Sequence, residues 1–243
     1  MSSDNQIVSV PYIEGANLRL HEEDVEQSNI WAGEATGEGA LKEDVELQFF
    51  FEQLKDAHCK TYIDIGANSG SFSFLPLLVP DAHCLAIEPN PKLAKLLTIN
   101  AKLNGIEKKV DVLDAALSAE PGTATIKIPK DSKLSGLACL AEPTRFEEWD
   151  EVEVQMTTLD ILMEKLNDLR VELIKIDTEG SELLILAGGE KYLRKHKPKI
   201  LLEYSALNAQ QFNYKREAIF ELLVEFGYNN FKILGRDLFT WFE

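Results

Sequence analysis

The stretch at residues 61–74, which reads TYIDIGANSGSFSF, constrains the fold of this chain more than any other. A short apolar run around Asp64 is followed by a loop that contains Gly66 and Gly70, and then by a second apolar run. Glycine accepts positive φ and has no Cβ, so a ligand can lie against bare backbone at such a turn. The pattern predicts a strand, a glycine turn and a helix through about Val79, whose free N-terminal amides would suit an anionic or polar group. A turn that only reverses the chain is an equal alternative at this point.

The segments that follow predict alternating strands and helices. An apolar strand at His83–Ile87 precedes a helix at Pro91–Leu103, which starts on a proline and is followed by Asn104 and Gly105, and the next strand is Val110–Leu113. Further strands are predicted at 124–128, 152–157, 171–176, 199–203, 228–234 and 237–242, and further helices at 43–57, 159–169, 181–196 and 215–226. Nearly continuous apolar strands in a βαβαβ order predict a buried parallel sheet covered by helices, an α/β fold. The last two strands are close enough in sequence for an antiparallel hairpin.

Two segments depart from this alternation. Residues 1–42 are polar and acidic, and residues 32–40 contain three glycines, which predicts either a disordered leader or a flexible lid over a site. Residues 129–150 form a long polar segment that contains Ser135, Gly136 and Trp149. Long connections in compact domains are often lids or binding loops, so this segment is a candidate for either.

Charge and cysteine content narrow the class of protein. The chain has 41 acidic and 25 basic residues, a net charge of −16, which disfavours broad electrostatic binding to nucleic acid or anionic lipid but leaves room for a local basic patch. Cys59, Cys84 and Cys139 form no CxxC pair and are odd in number, which is typical of thiols in a reducing compartment. We see neither a signal-peptide pattern nor a run approaching the ~20 apolar residues of a membrane span. A cytoplasmic protein with no membrane or nucleic-acid partner is expected.

Polar residues collect where the predicted strands end, and open parallel sheets bind ligands beyond those ends. These residues are Asp64, Gly66, Asn68 and Gly70; Glu88, Pro89 and Asn90; Asp114, Ala115 and Ala116; Lys175, Asp177, Thr178, Glu179 and Gly180; and Glu203 and Tyr204. Glu88 lies close to the ~20-residue spacing after the glycine turn at which an acidic side chain meets a ribose diol. Taken alone, Glu88 is better explained as a solvated charge at a strand end, whereas together with the glycine turn upstream the ribose contact is the better interpretation. Asp114 and the two small alanines after it would let a flat ring lie beside the backbone, although a plain loop start explains them nearly as well.

Five motifs together resemble one family. IDIGANSG, AIEPNP, DAALS, the TLD at 158–160 and KIDTEGSE match, in order and spacing, the FkbM-type methyltransferases, which are S-adenosylmethionine-dependent enzymes. The resemblance covers roughly residues 61–203. It implies one Rossmann-like, doubly wound domain over residues 1–243, with a core from residue 61, a mostly parallel seven-stranded sheet and a C-terminal antiparallel hairpin strand.

The resemblance also implies a set of site residues. The cofactor contacts it implies are Asp64, Gly66, Ala67, Asn68, Gly70, Glu88, Pro89, Asn90, Asp114, Ala115 and Ala116. In this set the glycine turn holds the methionine end of S-adenosylmethionine, Glu88 the ribose hydroxyls, and Asp114 with Ala115 the adenine. Asp177 and Glu179 would lie beside the transferring methyl group, and Lys175 would be either catalytic or a buried structural partner of those carboxylates.

The function expected from these residues is methyl transfer to a hydroxyl of a sugar or glycosylated small molecule, with Asp177 and then Glu179 as candidate bases. His21 lies outside the matched region, and the other three histidines, His58, His83 and His196, are interpreted as incidental. Asp177, Glu179 and Glu203 could hold a divalent cation, but only their composition suggests it, so no metal is predicted.

Three other functions stay open. An RNA methyltransferase would need a basic docking surface, against which the net charge argues. A nicotinamide-dependent reductase would share the acidic ribose contact, but GANSG is not GxGxxG. A non-catalytic module that binds S-adenosylmethionine is the third.

Overall fold

The computed structural model describes residues 7–27, 44–131, 134, 137–141, 145 and 147–243. The strands are β1 (Ile7–Pro11), β2 (Asn17–His21), β3 (Thr61–Ile65), β4 (His83–Ile87), β5 (Val110–Leu113), β6 (Ala116–Leu117), β7 (Gly122–Pro129), β8 (Trp149–Thr157), β9 (Leu173–Ile176), β10 (Lys199–Glu203), β11 (Asn230–Leu234) and β12 (Asp237–Trp241). The helices are α1 (Glu22–Gln27), α2 (Val45–Asp56), α3 (Pro91–Leu103), α4 (Leu159–Lys165), α5 (Glu182–Ala187), α6 (Glu190–His196), α7 (Ala206–Gln211) and α8 (Glu217–Glu225).

A seven-stranded sheet in the order β11-β12-β10-β9-β3-β4-β5 forms the centre of the molecule. The five strands from β10 to β5 are parallel, and β12 runs antiparallel to both of its neighbours, β10 and β11. The predicted mostly parallel sheet with a C-terminal hairpin is therefore confirmed. The strand order reverses between β3 and β9, and such a switch point opens a crevice at the carboxyl ends of the strands.

Alternate side chains of the central strands enter two separate cores, as the period of two in a strand requires. Tyr62 and Leu173 pack on one face with α2, and Ile63 and Ile174 pack on the other with α4, α5, α6 and α8. The sheet is thus buried on both faces, and the polar residues at its strand ends are left at one edge.

The chain after the glycine turn is not the helix that the sequence predicts. It forms turns and one 3-10 turn at Leu75–Leu77. The hydroxyl of Tyr12 donates to the carbonyl of Ser71 at 2.5 Å, and that of Tyr62 donates to the carbonyl of Phe72 at 2.8 Å. Tyrosine hydroxyls thus bind carbonyls that a helix would pair with its own amides, and the argument from helix N-terminal amides does not apply to this turn.

Residues 7–27 differ from the predicted leader. They form the hairpin β1–β2 and helix α1, and Val10, Leu18 and Leu20 are fully buried in the same core as Tyr62. The alternating IVSVP and NLRLH segments carry the strand pattern, which the acidic composition of the region obscured. The glycine-rich stretch 32–40 lies outside the described residues.

The middle of the chain forms a small sheet of its own, in the order β6-β8-β7. Its two long strands are longer than predicted, and Trp149, which was assigned to the irregular segment, begins β8. Ala116, Ile126 and Val154 form its buried core. Ser135 and Gly136 lie outside the described residues.

Smaller differences concern the ends of elements. The helix predicted at 159–169 ends at Lys165, because Asn167 and Asp168 adopt left-handed φ of 55° and 59°. The helical region predicted at 181–196 is divided into α5 and α6 at Gly188 and Gly189, and α7 was not predicted.

Within the described residues, every helix is too short or too polar to cross a membrane.

Candidate active site

The glycine turn after β3 lies against the loop after β9. Gly66 has a φ of +80°, and a Cβ at this position would lie 1.9 Å from the carbonyl oxygen of Asp177. Its amide donates to the carbonyl of Ile87, at the end of β4, at 2.9 Å. Only glycine fits here, because both the backbone conformation and the missing side chain are required. The turn therefore brings the ends of β3, β4 and β9 together.

Glu88 connects the first two loops of the site. Its two carboxylate oxygens accept amide hydrogen bonds from Asn68 at 2.7 Å and from Asn90 at 2.8 Å. Burial raises the pKa of Glu88 to about 7, although both hydrogen bonds act to lower it. Each oxygen keeps a further acceptor site, so the side chain can still bind hydroxyl donors.

One part of the cleft is a largely apolar slot beside Glu88. Its lining includes Gly66, Asn68, Ile87, Glu88, Pro89, Leu93, Ala115, Ala116, Ile126, Cys139 and Leu140. The structure therefore brings six of the predicted cofactor residues together in this wall. Cys139 and Leu140 were not predicted as site residues, since the segment that carries them has no local motif and was identified only as a long loop.

Five predicted cofactor residues lie off this wall: Asp64 and Ala67 line another part of the cleft, and the other three are Asp114, Gly70 and Asn90. Asp114 is exposed, and the alanines after it form the wall instead. Gly70, with a φ of +89°, packs so closely that a Cβ would lie 2.6 Å from Leu97. The side chain of Asn90 caps α3 by accepting from the amide of Lys92 at 3.1 Å. Gly70 and Asn90 thus shape the loops that carry the wall residues.

A second, more polar part of the cleft continues from the same glycine turn. Its lining includes Asp64, Gly66, Ala67, Asn68, Ser71, Phe72, Leu134, Leu137, Arg145, Lys175, Asp177, Glu179 and Arg236. Asp64 is 2% exposed and accepts a 2.5 Å hydrogen bond from the hydroxyl of Ser73. Burial raises the pKa of Asp64 to about 6, and the hydrogen bond from Ser73 and the charge of Lys175 oppose that rise.

Lys175 is buried at the floor of this polar part. Its ammonium pairs with Asp237 and lies 3.6 Å from a carboxylate oxygen of Asp177 and 5.1 Å from the ring centre of Phe72. Burial by itself would lower the pKa of Lys175, but the charges of Asp177, Asp237 and Asp64 raise it above its ordinary value. A lysine held in its charged form cannot take up a proton, so the arrangement favours the structural alternative.

The loop after β9 holds Glu179 in an unusual conformation. Glu179 has a φ of +57°, and its carboxylate accepts from the side-chain nitrogen Nδ2 of Asn208 at 2.9 Å and pairs with Arg145. The same nitrogen of Asn208 donates to Glu203 at 2.7 Å. Burial, followed by the charges of Asp177 and Glu179, raises the pKa of Glu203 to about 8. Left-handed φ at a non-glycine residue costs on the order of 1–3 kcal/mol and is concentrated at functional sites.

Glu182, the last residue of the KIDTEGSE motif, holds the same loop through hydrogen bonds to its backbone. One of its carboxylate oxygens accepts from the amide and the hydroxyl of Thr178, both at 2.9 Å, and from the amide of Gly180 at 3.2 Å. These bonds fix the loop between β9 and α5, so that Asp177, whose side chain is 44% exposed, is presented to the cleft.

Metal ligation finds no geometric support. Among the described residues, no group of three histidine, cysteine, aspartate or glutamate side chains is arranged to hold a metal ion. The histidines lie elsewhere: His21 ends β2, His58 is exposed, His83 begins β4, and His196 pairs with Asp168 at 2.8 Å.

Comparison with known proteins gives one family match. The model of the methyltransferase FkbM domain matches residues 64–229. The methyltransferase sdnD of Sordaria araneosa is 29% identical over 179 residues, which is 59% of this chain and 69% of that one.

Among the solved structures that resemble the chain are a protein of Staphylococcus aureus and one of Methylobacillus flagellatus. A Staphylococcus aureus protein, provisionally assigned as a caffeoyl-CoA O-methyltransferase, superimposes with a TM-score of 0.52 at 15% identity, over 81% of this chain and 82% of its own. That likeness shows the shared fold. For the methyltransferase FkbM of Methylobacillus flagellatus the TM-score is 0.49 and the identity 16%, over 76% of this chain and 44% of that chain, so the chain spans less than half the length of that protein.

Proposed function

The chain belongs to the methyltransferase FkbM domain family, and from this premise we propose that it transfers the methyl group of S-adenosylmethionine to a hydroxyl oxygen of a small acceptor that contains a sugar. The observation that carries the proposal is the contact between the glycine turn and the loop after β9. Because a Cβ on Gly66 would lie 1.9 Å from the carbonyl of Asp177, the turn and the candidate base border one cleft.

The residues present fit the cofactor. Glu88 would accept hydrogen bonds from the two ribose hydroxyls, and Ala115 and Ala116 leave room for a flat ring beside it. Asp64 and the amides of the glycine turn would hold the charged amino-acid end. When bound, the cofactor supplies an electrophilic methyl group on a sulfonium.

The protein contributes alignment and a proton acceptor. Holding the acceptor oxygen in line with the methyl group lowers the barrier, since it removes the entropic cost of a bimolecular encounter. The carboxylate of Asp177 is exposed to the cleft and would accept the proton that the acceptor hydroxyl loses when its oxygen takes the methyl group from the sulfonium. Glu179, fixed by Asn208 and Arg145, is the second candidate base.

A methyl-transfer screen with labelled cofactor over hydroxylated sugars, lipids and metabolites tests this function. For an acceptor found in this way, Asp177→Asn is expected to lower kcat by ~10²- to 10⁴-fold, the usual contribution of a positioned base. Calorimetric affinity for S-adenosylmethionine should be retained in the same variant, and Glu179→Gln is the matched comparison.

The alternatives give different results in the same assays. Tight NADH binding without S-adenosylmethionine binding would indicate a reductase. Retention on immobilised RNA at physiological salt would indicate a nucleic-acid substrate. Cofactor binding without labelled product from any acceptor would indicate a module that only binds.

A further inference from the structure

Arg236 enters the polar part of the cleft from the turn between β11 and β12. The amide of Arg236 donates to a carboxylate oxygen of Glu46 at 3.1 Å, and its carbonyl accepts from the amide of Tyr204 at 3.2 Å. The preceding residue, Gly235, has a φ of +54°, and a Cβ there would lie 1.9 Å from the same oxygen of Glu46. The backbone that carries Arg236 is thus tightly positioned by α2 and by the end of β10.

Arg236 differs in its pairing from the other basic side chains of this part of the cleft. Of the described residues, three basic side chains line it, and two of them are paired: Lys175 with Asp177 and Asp237, and Arg145 with Glu179. Within the described part of the chain, the guanidinium of Arg236 forms no ion pair. Arg236 is exposed, so the N–H donors of its guanidinium are open to an anion that enters the cleft from solution.

The order of the strands indicates whether the guanidinium of Arg236 lies nearer to the acceptor or to the cofactor. Neighbouring strands lie ~4.8 Å apart, so the start of β12 is about 10 Å from the end of β9 and about 14 Å from the end of β3. Arg236 is therefore nearer to Asp177 than to the glycine turn that would hold the cofactor. A long arginine side chain covers much of the shorter distance, so its partner is a group a few bonds away from the reacting hydroxyl.

We propose that Arg236 binds an acidic group of the methyl acceptor, a carboxylate or a phosphate, and that the acceptor is therefore an acidic hydroxyl compound such as a sugar acid or a sugar phosphate. The planar guanidinium donates two parallel hydrogen bonds to either group. The inference rests on the proposed function, because it takes the hydroxyl at Asp177 as the reacting group.

The test is a methyl-transfer screen over matched acceptors that differ by one acidic group, for example glucose, glucuronate and glucose 6-phosphate, extended to hydroxy acids and their esters. Wild type is expected to methylate acidic members in preference to their neutral partners. Arg236→Gln should raise KM for the acidic acceptor at least tenfold with kcat within about twofold, and Arg236→Lys should restore part of the loss. Arg19→Gln, which removes an exposed arginine of β2, is the charge-matched control and should leave KM unchanged.

Calorimetry with S-adenosylmethionine separates the possible sources of the anion. Equal cofactor affinity in wild type and Arg236→Gln is expected. A loss of cofactor affinity, without any change in the KM of the acceptor, would assign Arg236 to the cofactor carboxylate and overturn the proposal. Product from neutral acceptors only would overturn it as well. The absence of product from every member contradicts the proposed function itself, and this inference with it.

Discussion

At the scale of single residues, substitutions at Gly66 and Gly105 separate the cost of a left-handed backbone conformation from the cost of a steric clash. Both have left-handed φ, +80° and +70°, but a Cβ at Gly66 would lie 1.9 Å from the carbonyl of Asp177, whereas one at Gly105 would meet nothing within 4 Å. Gly105→Ala is expected to cost about 1 kcal/mol of unfolding free energy for the backbone conformation alone. Gly66→Ala should cost more than about 3 kcal/mol, since the loop after β9 must move, and should abolish cofactor binding. Urea unfolding and calorimetry measure both, and equal losses would contradict the contact.

Glu88 predicts a pH dependence of cofactor binding. Its folded pKa of about 7 lies above the ordinary 4.5, so the free energy of unfolding that this group contributes falls as pH rises from about 4.5 to about 7. Hydroxyl donors bind the ionised form, so cofactor affinity should rise about tenfold from pH 6 to pH 8, the gain in ionised fraction for a pKa near 7. Glu88→Gln should bind more weakly and show a flatter profile. An affinity in wild type that falls over this range would contradict the ribose assignment.

At the scale of elements, the N-terminal hairpin supports the loop after β3 and is attached to α3. Tyr12 holds the carbonyl of Ser71, while Asn100 of α3 accepts from the amide of His21 at 2.8 Å and donates to Asp24 at 2.6 Å. Removing the hydroxyl in Tyr12→Phe should cost about 1 kcal/mol of unfolding free energy, the usual net value of one hydrogen bond. Cofactor affinity should fall in the same variant, since the carbonyl that it bonds lies beside the glycine turn. Unchanged affinity would mean that the hairpin only covers the core.

Asp24 makes this attachment sensitive to pH. The residue is 1% exposed, and within the described structure one of its carboxylate oxygens has no hydrogen-bond partner. Burial raises its pKa from 3.8 to about 7, so it lowers the stability of the folded state progressively as pH rises through that range. Asp24→Asn is expected to raise the free energy of unfolding at pH 8 by up to about 4 kcal/mol and to change little at pH 4. Asp111→Asn, at an exposed aspartate of β5, is the control; a less stable Asp24→Asn at pH 8 would contradict the assignment.

At the scale of the whole molecule, the net charge of −16 should affect reactants of opposite sign differently. S-adenosylmethionine is a net cation and S-adenosylhomocysteine is net neutral, so added salt should slow association of the first by a few fold and leave the second unchanged. An acidic acceptor is repelled by the same field, so added salt should speed its association. Stopped-flow binding and steady-state kinetics between low and physiological ionic strength measure these effects. Equal salt dependence for the two cofactor forms would contradict a role for the global charge.

The parts of the molecule that the sequence predicted are those with a local cause. β4, α3, β5 and β10 have the predicted bounds, because uninterrupted apolar runs and the start on Pro91 define them within their own segments. The helix predicted after the glycine turn was wrong because Tyr12, some 59 residues away, bonds one of its carbonyls. Cys139 and Arg145 were missed for a related reason: only the folded chain brings that long segment to the cleft. In the sequence, Arg236 was only one of the two residues that connect the last two predicted strands.

The pairing of Lys175 with Asp237 has a consequence for how such chains can be recombined. The last motif of the family resemblance ends at Glu182, yet the ammonium of Lys175 within it pairs with a carboxylate from β12, far beyond that limit. A chimera with its breakpoint after the last motif would keep every motif of the site but could lose Asp237, which would leave Lys175 only the half-exposed carboxylate of Asp177, 3.6 Å away. Removing one partner of a buried ion pair costs about 3–5 kcal/mol, a large part of the stability of an average domain. Successful crossovers should therefore conserve the acid at the first position of the last strand together with the lysine, as one inherited pair.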